Sequence, residues 1–146
     1  MKKLVCILLV SVLLLGCLSG CNFTERMSGA FAGQAEATPK VEQMLAALAQ
    51  DSTADAKALL HPQAAETADA AIAQMSDYLA GRNVKTVALI NLNVSTSTGT
   101  AGKVRQENGG YRVTLEDDTV VYINAVYLSN PQGTGFSSFQ LVLGVV

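Results

Sequence analysis

The stretch Gly81-Arg82-Asn83-Val84-Lys85-Thr86-Val87-Ala88-Leu89-Ile90-Asn91-Leu92-Asn93-Val94 is where the chain changes its period. Before Gly81, apolar residues recur every three or four positions; after it they alternate. Val84, Thr86, Ala88, Ile90, Leu92 and Val94 form one row, and a period of two belongs to a half-buried strand. The opposite row starts apolar with Val87 and Leu89 and turns polar at Asn91, Asn93 and Ser95. Helices first and strands second make an α+β layer, with the helices packed on one face of an antiparallel sheet.

Upstream, Thr38-Pro39 opens a helix, because Thr is a favoured N-cap and Pro suits the first helical position. Val41, Met44, Leu45 and Leu48 then make one apolar stripe. Ser52-Thr53-Ala54-Asp55 has the form of a capping box for a short helix that ends at Leu59-Leu60 and is stopped by His61-Pro62. A further helix is expected from Ala64 to Ala80, with Ala68, Ile72, Met75 and Leu79 inward and Gly81 at its C-cap.

Downstream, Ser95 to Gly102 reads as a Ser/Thr/Gly loop and Lys103 to Glu107 as a strand. Asn108-Gly109 has the composition of a hairpin turn, followed by a strand through Tyr111, Val113 and Leu115. Asp117-Asp118 turns the chain into a strand from Thr119 to Leu128. Asn130-Pro131-Gln132-Gly133 breaks it, and Phe136 to Val146 closes the sheet with Phe139, Leu141, Leu143 and Val145 on one face. Four to five curved strands are expected.

The N-terminus has a different character. Lys2 and Lys3 precede an apolar run from Leu4 to Leu15, the charge-then-apolar order of an export signal. That run is too short to span a membrane, which needs roughly 20 apolar residues. It ends in Leu14-Leu15-Gly16-Cys17-Leu18-Ser19-Gly20-Cys21. This segment resembles the lipobox of bacterial lipoproteins, in which the Cys thiol is diacylglycerated and becomes the new N-terminus. Both Cys17 and Cys21 fit the frame. Cys21 is preferred because Ser19 and Gly20 are both small, and because cleavage before it also removes Cys6 and Cys17 and leaves no free thiol in an oxidising space. The domains expected are a signal peptide over 1–20, a flexible tether over 21–37 and one α+β domain over 38–146. Acyl chains on the cysteine, each buried methylene contributing about 0.8 kcal/mol, would hold the protein at the membrane.

Charge narrows the partners. With Lys2 and Lys3 in the leader, eight cationic side chains (Arg26, Lys40, Lys57, Arg82, Lys85, Lys103, Arg105 and Arg112) face twelve acids. No basic cluster exists to grip nucleic acid or anionic lipid.

The helices-first order, with Leu59-Leu60-His61-Pro62 leaving an early helix and long strands at the end, resembles the nuclear-transport-factor-2-like superfamily, a cystatin-like α+β cone. The resemblance covers roughly 38–146. It implies a bent sheet wrapped around a helix, with a pocket at the open end. Superfamily enzymes such as ketosteroid isomerases place an acid or a His-Asp pair with Tyr donors inside the cone; Asp69, Asp77, Tyr78, Tyr122 and Tyr127 are the groups this resemblance offers.

Read directly, the residues hold little reactive chemistry. His61 is the only histidine and is assigned to a helix end before Pro62 rather than to catalysis. Gly99-Thr100-Ala101-Gly102-Lys103 is too short for a phosphate loop, and Val104 stands where a Ser or Thr is needed. Glu116-Asp117-Asp118 lacks the spaced ligands of a calcium loop. Asn is disfavoured in strands, so Asn91, Asn93 and Asn124 are candidates for a polar patch or pocket mouth. Tyr122, Tyr127, Phe136 and Phe139 would supply its apolar wall, with Tyr78 a further pocket candidate.

The expectation is a non-enzymatic, lipid-anchored protein at the extracytoplasmic face of a bacterial cell membrane. It would bind a protein or small-molecule ligand and need no cofactor, metal or nucleic acid. The alternatives are a cone-pocket isomerase or dehydratase and an accessory module of a cell-envelope complex.

Overall fold

A computed structural model describes residues 35–143. The expected leader, Cys17, Cys21 and the tether up to residue 34 lie outside the described residues, as do residues 144–146. Four helices, α1 (Thr38–Ala49), α2 (Thr53–Ala58), α3 (Pro62–Ala65) and α4 (Asp69–Leu79), precede four strands, β1 (Val84–Gly99), β2 (Gly102–Leu115), β3 (Val120–Asn130) and β4 (Gly133–Leu143). The strands form one open antiparallel sheet in the order β1-β2-β3-β4. The described chain is thus α+β with four strands, and no fifth is found in it.

Pro39 occupies the first turn of α1, as its fixed φ and missing N–H favour. Thr38 does not cap this helix; Ala37 precedes it and brings no side-chain cap. The Thr38 hydroxyl lies instead 3.4 Å from the Tyr111 hydroxyl in the interior. At α2 the Ser52 hydroxyl donates to the Asp55 carboxylate at 2.6 Å, so half of the expected capping box forms side chain to side chain. The helix expected over Ala64–Ala80 is broken in two. Thr67 N–H turns back to the Ala64 carbonyl, and the chain restarts at Asp69, whose carboxylate complements the positive end of α4. Gly81 ends α4 at φ +72°, a left-handed conformation that glycine adopts freely.

Three register shifts set the sheet, at Val84/Thr86 and Leu89/Asn91 in β1 and at Val126/Tyr127 between β3 and β4. In β1 the register shifts between Leu89 and Asn91. Before the shift Val87 and Leu89 pair with the buried Val113 and Tyr111; after it Leu92 and Val94 pair with Gly109 and Glu107. Each extra residue moves the later side chains to the other face, so the row that faces the helices is even-numbered at Val84, odd-numbered at Val87 and Leu89, and even-numbered again from Leu92. The single row expected from Val84 to Val94 is therefore split, and Ala88 and Ile90 face away from the core, Ile90 half exposed. In β4 a shift at Val126/Tyr127 lets Phe136 and Phe139, three apart, face the helices together. Tyr127, Phe136 and Phe139 then pack edge to face, with ring centroids 5.1 and 5.2 Å apart.

Asn108-Gly109 is not a turn. β2 runs straight through it, and the hairpin lies at Gly99–Gly102, inside the expected loop, with Gly102 at φ +113°. Gly109 serves packing: a Cβ there would sit 2.7 Å from the Tyr111 ring, which folds back over it. The turn at Asp117-Asp118 forms as expected, with Asp118 at φ +63° and the Asp117 carboxylate accepting from Thr119 N–H at 3.0 Å.

The layer between helices and sheet is filled by Val41, Met44, Leu45 and Leu48 of α1, Ile72 and Leu79 of α4, and Tyr111, Val113, Ile123 and Phe136 of the sheet. Ser76, also buried, places its hydroxyl 2.7 Å from Asp51 Oδ1 and 3.3 Å from the Leu48 carbonyl, tying α4 to the end of α1. One charge enters this layer. Glu107 is 1% exposed; it accepts from Ala37 N–H at 3.0 Å and Glu36 N–H at 3.3 Å, and from the Arg105 guanidinium at 2.7 Å. Residues 36 and 37, expected as the last of the tether, are held here against the sheet. Glu107→Gln removes the charge that balances Arg105 and one strong acceptor, and should lower unfolding free energy by about 2 kcal/mol. Denaturant titration checks this; an unchanged midpoint would show that the clasp contributes nothing.

Candidate functional site

α4 carries two stripes. Ile72, Ser76 and Leu79 are buried against the other helices and the sheet. One step around the helix, Ala71, Gln74, Met75 and Tyr78 recur at the same spacing and face the outer strand of the sheet. Between them and Phe139–Leu143 of β4 lies an open groove of about 450 Å³. Its walls are mainly apolar, Gln74 is the amide side chain on the α4 side, and no charged side chain lines it. Tyr78 is steadied by the Arg82 guanidinium 4.7 Å from its ring centre. Phe139 ends the aromatic row begun by Tyr127, so the groove floor continues the core. A volume in this range, with few polar groups on apolar walls, suits a ligand site.

The candidate residues from the sequence fall on two sides of the sheet. Tyr78 and Phe139 line the groove. Tyr127 is 8% exposed within the core, where burial pushes its phenol up from the ordinary range. Asn91, Asn93, Tyr122 and Asn124 all lie on the face turned away from the helices. There Asn91, Gly110, Asn124 and Gln140 form one cross-strand row, and Asn93, Asn108, Val126 and Ser138 the next. Gly110 lets the Asn91 amide lie flat on β2, since a Cβ there would come within 2.6 Å of it. The amides do share a surface, but it is an open face and not the mouth of the groove.

His61 is buried, with Nδ1 accepting from Gln63 N–H at 3.4 Å and Nε2 3.1 Å from Asn130 Oδ1. It caps the start of α3 rather than the end of α2. Its backbone also pairs with the sheet: His61 N–H donates to the Phe136 carbonyl at 2.9 Å, and Phe136 N–H to the Leu59 carbonyl at 3.0 Å. Gly135 makes that approach feasible, because a Cβ would stand 2.5 Å from His61 N. Among the described residues no three His, Cys, Asp or Glu side chains converge as a metal site.

The sequence reading placed Met75 and Leu141 on apolar faces without assigning them to a site, and did not single out Glu42. Glu42 borders a smaller cavity of about 190 Å³ with Leu45, Ala46, Ala49, Gln50, Asn83 and Val84. Burial among these side chains pushes its carboxyl up to about 7. On the helix side both cavities are lined by a second stripe, spaced like the core stripe and one residue away from it: 71, 74, 75 and 78 on α4, and 42, 45, 46 and 49 on α1.

Comparison of the chain with protein-family models, with curated proteins and with solved structures gives no match in any of the three.

The raised Glu42 carboxyl has a consequence for stability. The unfolded chain loses this proton near pH 4.5 and the folded chain near 7, so the folded state holds more protons in between. Stability contributed by Glu42 is therefore full below about pH 4.5 and falls as pH rises to 7. Allowing for the solvent that still reaches this half-buried group, Glu42→Gln should gain about 1 kcal/mol at pH 8 and nothing at pH 4. Chemical denaturation at the two pH values checks the difference, and equal effects at both would refute it.

Proposed function

We propose that this chain is a lipid-anchored binding protein at the extracytoplasmic face of a bacterial membrane, attached through Cys21, and that the groove between α4 and β4 receives an apolar ligand or partner segment. The groove carries the binding half of the reading: it is an unfilled apolar space beside an otherwise closely filled core. Natural interiors leave few such spaces, so one that opens to solvent is a place for something else to bury apolar surface. The anchor half rests on Leu18-Ser19-Gly20-Cys21 behind the apolar leader. No helix among the described residues is long and apolar enough to cross a membrane.

The finer view of the fold, a cone of the nuclear-transport-factor-2-like kind, belongs to the same proposal. It is supported by helices that precede a long-stranded sheet with three register shifts. A non-enzymatic role fits the groove lining, which offers thioether, phenol, amide and hydrocarbon but no carboxylate or imidazole to move a proton.

Two measurements test the halves separately. Metabolic labelling with a fatty-acid analogue should tag the wild type and Cys17→Ala, and fail on Cys21→Ala; the reverse pattern moves the anchor to Cys17. The purified chain should bind 1-anilinonaphthalene-8-sulfonate, and Met75→Asp, which puts a charge on the groove wall, should weaken that binding by about tenfold. Dye affinity indifferent to Met75→Asp would place the dye elsewhere and remove the groove's claim.

A further inference from the structure

The outer edge of β4 is treated differently along its length. As the last strand of an open sheet, β4 has a neighbour on one side only. At Phe136 the free side is covered: Leu60 pairs with it in a parallel bridge, closed by the His61 and Phe136 N–H bonds described above. Pro62 then begins α3 and the covering chain leaves the edge. From Phe139 to Leu143 β4 is paired with β3 on one side, and among the described residues no backbone hydrogen bond reaches it from any other element. Those five residues are the ones that line the groove.

We propose that the occupant of the groove is an extended segment of another protein, apolar at alternate positions, which pairs with Phe139–Leu143 as a fifth strand. The inference rests on the groove reading above and names its ligand class. Three observations carry it. The first is continuity: the edge of β4 is already a strand-pairing surface where Leu59–His61 uses it, and the free part is its direct extension. The second is the wall facing that edge. Ala71, Met75 and Tyr78 of α4 stand across from the strand, so a paired segment would turn every second side chain into an apolar trough. The third is exposure. Leu143 is 51% and Val142 44% exposed, and an edge strand that protects itself carries charges or proline there instead. The five free residues span roughly 16 Å at a strand rise of about 3.3 Å, room for a partner of about five residues with two or three side chains in the trough. The trough is uncharged, which matches an apolar segment and not an acidic or basic one.

The test uses the full processed chain and a synthetic heptapeptide of alternating Val and Thr with a Lys at each end. Two variants of the peptide carry N-methyl groups on alternate amides, one set in each. A strand that pairs through one side loses binding in only one of the two, by about tenfold or more, while the other matches the parent. Hydrogen exchange should slow at Phe139–Leu143 on binding, and Met75→Asp should weaken the peptide as it weakens the dye. Equal loss or no loss in both methylated peptides overturns the inference, as does a complex without slowed exchange on β4. Concentration-dependent dimerisation that protects β4 overturns it too, in favour of a second copy. Failure of the peptide with retention of the dye rejects this ligand class and leaves the groove reading standing; failure of both rejects both.

Discussion

A charge buried in a small apolar layer must be fully satisfied or the layer will not close, and Glu107 imposes that condition here. Its carboxylate sits on β2 facing the helices, where neighbouring positions hold Tyr111 and Gly109. Arg105, two residues away on the same face, supplies a counter-charge without crossing the sheet. The other donors are main-chain N–H groups of Glu36 and Ala37, at the start of α1. A helix begins with N–H groups that its own ladder cannot use, and this one has no side-chain cap of its own. The sheet caps the helix, and the helix start neutralises the sheet's one interior charge. Thr38 is thereby released from capping, and its hydroxyl goes to Tyr111, where burial pushes the phenol up from its ordinary range.

What the sequence made legible follows from how local each cause is. The switch of period at Gly81, the start at Pro39 and the turns at Asp117-Asp118 and Asn130–Gly133 are each fixed by a few adjacent residues, and they appear where expected. The misread places depend on partners far along the chain. Asn108-Gly109 has hairpin composition, yet its glycine exists because the Tyr111 ring needs the space. A bulge has no strong signature in β1: Leu89-Ile90-Asn91 contains no glycine, and Ile90 reads as one more member of an alternating row. The clue was that both rows were apolar before Asn91, which a strand with a single face of burial does not require.

The site was legible to a lesser degree for a related reason. Tyr78 and Phe139 were chosen as aromatics and are groove walls; Asn91, Asn93, Tyr122 and Asn124 were chosen with them and share one face, on the other side of the sheet. Whether two strand residues face the same layer depends on the parity of every bulge between them, and that parity cannot be counted from composition. Glu42, Ala46 and Ala49 on α1, and Ala71 on α4, were hidden differently. Alanine is the best helix former whether or not it faces anything, so an alanine stripe beside the core stripe carries no pattern of its own. The grooves lie where small side chains leave the helices standing off the sheet edges.

That standing-off is itself a physical choice between two ways of finishing an open sheet. A residue larger than Ala71 on α4 would close more of the layer over β4 and bury more of Leu141 and Leu143, gaining roughly 25 cal/mol for each Å² removed from water. The chain instead covers the edge once, at Phe136, with the three residues Leu59–His61, whose close approach Gly135 permits. Beyond it, Leu143 remains half in water and α4 turns alanine, methionine and tyrosine toward the gap. Methionine adapts its shape to what it meets, and tyrosine offers a broad apolar face with a polar tip. Burial forgone inside the chain at Leu141 and Leu143 is burial available to whatever enters from outside, and the unfilled edge of β4 fixes the direction along which it can lie.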